Sequence, residues 1–515
     1  MSWEKEVEEL KKRKELALNM GGEEKVARHV NAGKLTVRDR IDRMLDKDSF
    51  EEVGSVTGKV EYDDQGNITS LQPANLITGR GRVNGRRVVI AGDDFTVRGG
   101  ANDAGIREKL VHVENMANSL RLPMIRLVDG TGGGGSVKNI EDDGRTYIPA
   151  VRGWDLVTDS LSKIPVVALA LGSTAGLGAA RVAASHYSVM VKETSQMFVA
   201  GPPVVARTGQ NLSKNELGGS NIHTRNGAVD DEAESEEEAF EMARRFLSYL
   251  PQSVYELPER TTPTDDPARR DEWLIEAIPR DSRKVYKMRN IINAVVDKDS
   301  FFEIGRKWGR SCITGFARLD GWPVALMASD PYQFGGAWTA DTAQKVIRFV
   351  DLAQTFHLPV VHLVDVPGFL IGRQAEEQAT IRHGVRAFAA VAQATVPWCA
   401  VILRKTYGVA GAAHMNAGRF NLRYAWPSGD WGSLPIAGGL EAAYKSEIEA
   451  AEDPKAKLEE IEARLNRLRS PFRTAERFMV EEIIDPRETR RLLCDFADMA
   501  APLREVGEPR FGVRP

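Results

Sequence analysis

Three cysteines in 515 residues, Cys312, Cys399 and Cys494, leave this chain with little sulfur chemistry. They are far apart, odd in number and form no Cys-x-x-Cys pair, which excludes a zinc ribbon and a disulfide framework. Read as small buried apolar residues, they suit a reducing compartment, and a cytoplasmic location is expected. Long apolar runs are also lacking, so no bilayer-spanning helix is predicted. The first ten residues are acidic and amphipathic, unlike a signal peptide or an Arg-rich transit peptide. Charge is nearly balanced at −4, which gives no polyanion-binding surface and no polybasic membrane tether. The eight histidines show no His-x-x-x-His or His-Glu-x-x-His spacing, so no metal site is predicted. Gly-x-Ser-x-Gly and Walker A patterns are absent too, which excludes a nucleophile elbow and a P-loop.

What the chain does contain, it contains twice. Val360 to Gly368 (Val-Val-His-Leu-Val-Asp-Val-Pro-Gly) has a near-copy at Met124 to Gly132, 236 residues upstream. At the same offset Gly99-Gly100 pairs with Gly335-Gly336, Gly85 with Gly321, and Leu122-Pro123 with Leu358-Pro359. In each copy two β-rich runs flank a turn: Thr78 to Val83 and Arg87 to Ala91, then Ile313 to Leu319 and Val324 to Ala328. Ile106, Leu110, Val113, Ala117 and Leu120 form one helical face, repeated by Val346, Phe349, Ala353 and Phe356. Continuous apolar strands follow, Met124 to Val128 and Pro165 to Leu171, the latter repeated at Pro397 to Leu403 with an offset of 232. Alternating strand, Gly-rich turn and helix predicts an α/β layered fold from an internal duplication.

Around these repeats, residues 2–45 read as helices. Residues 230–249 read as an acidic-started amphipathic helix with a solvated charged face. The domains are expected at 1–257 and 280–515, joined by a Pro- and Thr-rich linker at 258–279, with a charged helical insertion at about 440–468.

In α/β folds ligands gather beyond the carboxyl ends of strands. Both copies place a small-residue turn there: Leu-Gly-Ser-Thr-Ala-Gly-Leu-Gly-Ala-Ala at 171–180 and Arg-Lys-Thr-Tyr-Gly-Val-Ala-Gly-Ala-Ala at 404–413. Such turns let a ligand approach main-chain N–H groups, which can hold a developing negative charge. Close helix–strand packing favours the same residues, and composition does not separate the two. Side-chain catalysis is poorly supported. His223, His383 and His414 could act as acid or base, but structural roles fit them better. Gly130 to Gly135 matches Gly-x-Gly-x-x-Gly, yet the polar residues after it lack helical periodicity, which excludes a dinucleotide fingerprint.

Several motifs in order, Asp94-Phe-Thr-Val-Arg-Gly-Gly100, Phe198-Val-Ala-Gly-Pro202, Glu216-Leu-Gly-Gly219, Val364-Asp-Val-Pro-Gly-Phe369, Tyr424-Ala-Trp-Pro427 and Glu482-Ile-Ile-Asp-Pro486, resemble the biotin-dependent acyl-CoA carboxylases. The resemblance is to the carboxyltransferase (β) subunit of the propionyl-CoA carboxylase type and runs from about residue 5 to 500. It implies two tandem crotonase-like domains (ββα superhelices) and a hexamer built as a trimer of dimers. The active site would lie between the N-domain of one subunit and the C-domain of another. It implies an oxyanion hole for the thioester at the Gly176 and Leu177 N–H groups and a second, for biotin, at Val409 and Ala410. Ala175, Gly411 and Ala412 are the residues it places on the substrate side. In this chemistry carboxybiotin supplies CO₂ and biotin takes the α-proton, so no side-chain base is needed. No Met-Lys-Met biotinylation site occurs, so biotin is expected on a separate carrier or biotin carboxylase (α) subunit.

Departures from the family pattern point to the substrate. Leu177 and Val409 stand where Gly-Gly pairs are common. Gly411-Ala412 replaces a Tyr-Asp whose Asp helps select the acyl chain. The Gly130 segment lacks the family's arginine. An acyl group larger than propionyl, or differently polar, is expected. A biotin-linked decarboxylase subunit shares every residue named and is one alternative; the altered Gly-Gly pairs leave a catalytically silent scaffold as another.

Overall fold

The computed structural model describes residues 2–101, 107–130, 140–141, 144–146, 148, 150–417 and 420–509. The chain divides into two compact units, Met1–Glu256 with Gly507–Pro515, and Leu257–Val506.

The first unit opens with helices Glu4–Leu18, Glu23–Asn31 and Val37–Met44. Thr36 begins the third through a reciprocal capping box with Asp39, and its inner face buries Val37, Arg40, Ile41 and Met44. The strands are β1 (Glu51–Val53), β2 (Gly58–Tyr62), β3 (Ile68–Pro73), β4 (Leu76–Val83), β5 (Arg86–Asp93), β6 (Met124–Val128), β7 (Val166–Ala170), β8 (Ser173–Ala175), β9 (Tyr187–Val191), β10 (Gln196–Phe198) and β11 (Asp231–Ala233). Seven form one sheet in the order β1-β4-β5-β6-β7-β9-β11, while β8 pairs with β10 and β2 with β3. From β5 onward the main sheet is parallel, and every residue of β6, β7 and β9 is buried. That burial on both faces accounts for their unbroken apolar sequences. The predicted helical face lies on Arg107–Leu120, with Val113 and Ala117 in the core; Ile106 falls outside the described residues.

The second unit repeats the plan with β12 (Phe302–Ile304), β13 (Cys312–Leu319), β14 (Trp322–Ser329), β15 (Val360–Val366), β16 (Trp398–Tyr407), β17 (Asn421–Ala425), β18 (Asp430–Gly432) and β19 (Glu482–Ile483). Its sheet runs β12-β13-β14-β15-β16-β17-β19, with β18 paired to the end of β16. Helices Ala340–Thr355 and Thr380–Gln393 accompany the parallel strands. The segment read as a linker, 258–279, lies within this unit: Leu274 is in its core and Thr261 N–H bonds to Gly321 O. The charged insertion forms helices Ile436–Ala443, Lys445–Glu449 and Pro454–Asn466, anchored by buried Leu440 and Ile461.

Two repeated details explain the register seen in the sequence. Asn84-Gly85 and Asp320-Gly321 close the hairpins with positive φ at both residues. Each turn is held by one carboxylate, Asp46 accepting from the Asn84 and Gly85 N–H groups and Asp297 from those of Asp320 and Gly321. Gly100 and Gly336 also have positive φ, and a Cβ there would sit 2.5 Å from Asp129 O and 2.4 Å from Asp365 O. Only glycine fits such an approach.

The 230–249 reading is corrected. Asp231–Ala233 is strand β11, paired in parallel with β9, and the helix begins later, at Glu236 with Ser235 as its N-cap. Nor is its acidic start fully solvated, because Glu236 is buried and takes two hydrogen bonds from Arg40.

Candidate active site

Beyond the parallel strands each unit carries a tight turn into a short helix. In the first, β8 ends at half-buried Ala175 and the chain reverses at Gly176, with φ 55° and ψ −118°, into helix Leu177–Ala183. In the second, β16 ends at Tyr407 and Gly408, with φ 60°, leads into helix Gly408–Ala412. Gly176 and Gly408 are 232 residues apart, the offset of the preceding strands. A side chain disfavours this backbone conformation, which accounts for glycine at both positions. The register matches Leu177 with Val409 and Gly178 with Ala410.

Among the described residues, no acceptor takes the N–H groups of Leu177, Gly178, Val409 or Ala410. The first N–H groups of a helix have no partner within it, and they suit a negatively charged oxygen. Gly176 differs: its N–H donates to Phe198 O at 3.3 Å. The expectation that Gly176 itself offers a donor is therefore corrected. Its part is to turn the chain, and the free donors begin one residue later. Small residues close the second turn. Ala410 is buried, and a Cβ on Gly411 would lie 2.8 Å from the Thr406 carbonyl carbon. Ala412 and Val409 are exposed.

Beneath each turn a strand ends in a fully buried aspartate. Asp129 pairs with Arg40 Nη1 at 2.9 Å, with Lys34 Nζ at 3.6 Å from its other oxygen. Asp365 accepts from Arg404 Nη2 at 2.9 Å, Tyr286 Oη at 2.9 Å and Lys405 N–H at 3.0 Å. Burial pushes the Tyr286 hydroxyl up, so it stays protonated and donates. The repeats mark both aspartates in the sequence, whereas their cations come from unrelated places and escape a pattern search. One signal was available: Gly172 occupies the register of Arg404, and a Cβ there would fall 1.8 Å from Asp129 Oδ1.

The candidate histidines sit on main-chain carbonyls. His414 Nδ1 bonds Gly411 O at 2.8 Å and His223 Nε2 bonds Met197 O at 2.7 Å. Burial lowers the His414 pKa. His383 lies on helix Thr380–Gln393, half-buried. Beside the second turn His362, buried and pushed down to about 4, bonds His414 O through Nδ1 at 3.0 Å. Arg126 does the equivalent work in the first unit, bonding Ala184 O at 2.7 Å and pairing with Glu114. All three cysteines are buried, with their thiols pushed up by desolvation. Gly130 reaches the first turn through its carbonyl, which accepts from Ala175 N–H at 3.3 Å. The rest of its glycine run, residues 131–135, is outside the described residues. No group of three or more His, Cys, Asp or Glu that could hold a metal occurs among the described residues, and no helix among them is long and apolar enough to cross a membrane.

A duplicated α/β layer of this kind, with a glycine turn after a strand in each copy, is the crotonase fold of the acyl-CoA carboxyltransferases. The chain belongs to the carboxyl transferase domain family, whose model matches residues 28–510, and it is of the propionyl-CoA carboxylase β-chain type. It is 33% identical to the propionyl-CoA carboxylase carboxyltransferase subunit of Haloferax mediterranei, over 99% of both chains. It is 32% identical to the methylmalonyl-CoA carboxyltransferase 12S subunit of Propionibacterium freudenreichii subsp. shermanii, over 97% of this chain and 95% of that one. A crystal structure of the transcarboxylase 12S hexamer, with methylmalonyl-CoA and methylmalonic acid bound, superposes with a TM-score of 0.88 at 30% identity, covering 99% and 98% of the two chains.

Proposed function

We propose that this chain moves a carboxyl group from carboxybiotin, borne by a separate carrier subunit, to the α-carbon of an acyl-CoA thioester. The observation that carries the reading is the repetition of one glycine-led turn with unspent N–H groups, Leu177 and Gly178 in one copy and Val409 and Ala410 in the other. Biotin, when presented by its carrier, supplies the carboxyl group and accepts the substrate's α-proton. The chain's part is electrostatic. The N–H groups at Leu177 and Gly178 hold the thioester oxygen as it gains charge on loss of the α-proton, and those at Val409 and Ala410 hold the ureido oxygen of biotin. Each donor of this kind is worth roughly 10²–10³ in rate. Ala175, Gly411 and Ala412 line the acyl side, where Gly411 and Ala412 keep the wall small and uncharged. The histidines, tied to carbonyls, take no proton in this scheme.

Leu177 and Val409 bring side chains close to the donors, and Ala412 leaves its exposed position without a charge. Leu177 and Val409 narrow the space beside the donors, whereas the Gly411-Ala412 exchange enlarges and depolarises it, so an acyl group larger than propionyl, or differently polar, fits. Biotin carboxylase and the biotin carrier are the partners, and six copies form the working assembly. An apolar stripe on helix Thr380–Gln393, Ile381, Val385 and Phe388, is exposed in the single chain and supplies surface for such contacts.

The test is a carboxylation assay with biotin carboxylase, biotinylated carrier, ATP and bicarbonate across a panel of CoA thioesters. Carboxylated product from thioesters longer than propionyl is expected. A sharp preference for acetyl- or propionyl-CoA refutes the substrate assignment, and no transfer to any thioester refutes the transfer itself.

A further inference from the structure

The strand leading into each turn has a short parallel neighbour, and a side chain from the segment after that neighbour holds it. In the first unit Ser173 lies opposite Gln196, whose Nε2 donates to Asn215 Oδ1 at 2.8 Å. Phe198, on the same neighbour, also takes the Gly176 N–H. In the second unit Lys405 lies opposite Asp430 and Tyr407 opposite Gly432. Here Asp430 is gripped by both arms of Arg469, Nε at 2.6 Å and Nη2 to the other oxygen. Arg469 stands just past helix Pro454–Asn466, at the returning end of the helical insertion. Trp431 adds a second tie, its Nε1 donating to Thr474 Oγ1 at 3.0 Å. Burial and the nearby Asp430 carboxylate push the Tyr407 hydroxyl up, so it stays protonated. Gly408 follows directly. Among the described residues no carbonyl takes its N–H, so the second turn lacks the main-chain strap that Phe198 gives the first.

We infer that Arg469 is a positioning residue for the Gly408–Ala410 turn, acting through Asp430 and Tyr407. The inference rests on the reading above that this turn serves the biotin side. A glycine with φ near 60° sits in a broad energy well, so its conformation has to be fixed from outside. A two-pronged guanidinium–carboxylate pair fixes angle as well as distance. The pair is partly exposed, with Arg469 at 35% and Asp430 at 15%, so its worth lies in geometry more than in stability. The insertion thereby becomes a brace for one of the two turns.

The experiment uses the full oligomer and the variants Arg469→Ala, Arg469→Lys and Asp430→Asn. In Arg469→Ala and Asp430→Asn, amide exchange is expected to quicken in peptides covering 405–412 and to stay unchanged at 173–180. The kcat/KM for biotinylated carrier falls by about 10²-fold, the order of loss for misplacing a reacting group by about 1 Å. KM for the acyl-CoA holds, and Arg469→Lys recovers part of the loss. Unchanged exchange at 405–412, or equal losses toward carrier and acyl-CoA, overturns the inference. Exchange is read without turnover, so it decides the brace even if the wild-type chain carboxylates nothing, which would sink only the functional reading.

Discussion

Positions 172 and 404 stand 232 residues apart, and the exchange of glycine for arginine between them sets how each buried aspartate is neutralised. Arg404 is a neighbour of Asp365 within its own layer, whereas Gly172 leaves room for Arg40 to arrive from helix Val37–Met44. Removing one partner of a buried pair strands the other, at a cost of about 3–5 kcal/mol. Arg404→Met is therefore expected to lower urea-unfolding stability by that order; a loss within experimental error contradicts the assignment. His362 makes a pH prediction. Its pKa is about 4 in the fold against 6.5 when free, so the unfolded chain binds the proton first as pH falls. The contribution is complete above about 6.5 and drains away between 6.5 and 4, on the order of 3 kcal/mol. His362→Gln should show a smaller drop in denaturation midpoint between pH 7 and pH 5 than the wild type. An identical drop assigns the acid sensitivity elsewhere.

At the scale of elements, the strands and hairpins were legible because burial on both faces writes an unbroken apolar run, as in Val166–Ala170, and because Asn84-Gly85 needs a positive φ that few residue pairs tolerate. The turns at 176 and 408 were legible for the same reason. What the sequence hid was the direction of individual N–H groups: nothing in Ala175-Gly176-Leu177 says that the Gly176 hydrogen goes to Phe198. Acidic composition also misled at 231–233, where pairing with β9 overrides the helical signal. The 258–279 segment carries linker chemistry, yet Leu274 gives it a place in the second core. Close packing at the second turn can be probed by Gly411→Val, whose Cβ meets the Thr406 main chain at 2.8 Å. Turnover should fall at least tenfold, with the thermal midpoint moving by only a few degrees. Full activity would mean that the turn tolerates displacement.

For the whole molecule, the proposed function has the chain work by main-chain dipoles and leave group-transfer chemistry to a visiting cofactor. Val385→Glu with Phe388→Glu places charge on the exposed stripe of helix Thr380–Gln393 and should dissociate the proposed six-copy assembly in light scattering; an unchanged mass removes that face from the interface. The proposed donors are best probed with proline. Leu177 is the first residue of its helix, where proline fits the backbone but has no N–H to give. Comparing Leu177→Pro with Leu177→Ala, both of which lose the leucine side chain, isolates the hydrogen. If the account is right, carboxyl transfer by the proline variant lies about 10²–10³-fold below that of the alanine variant, with both folded and assembled. Equal rates in the two would contradict it.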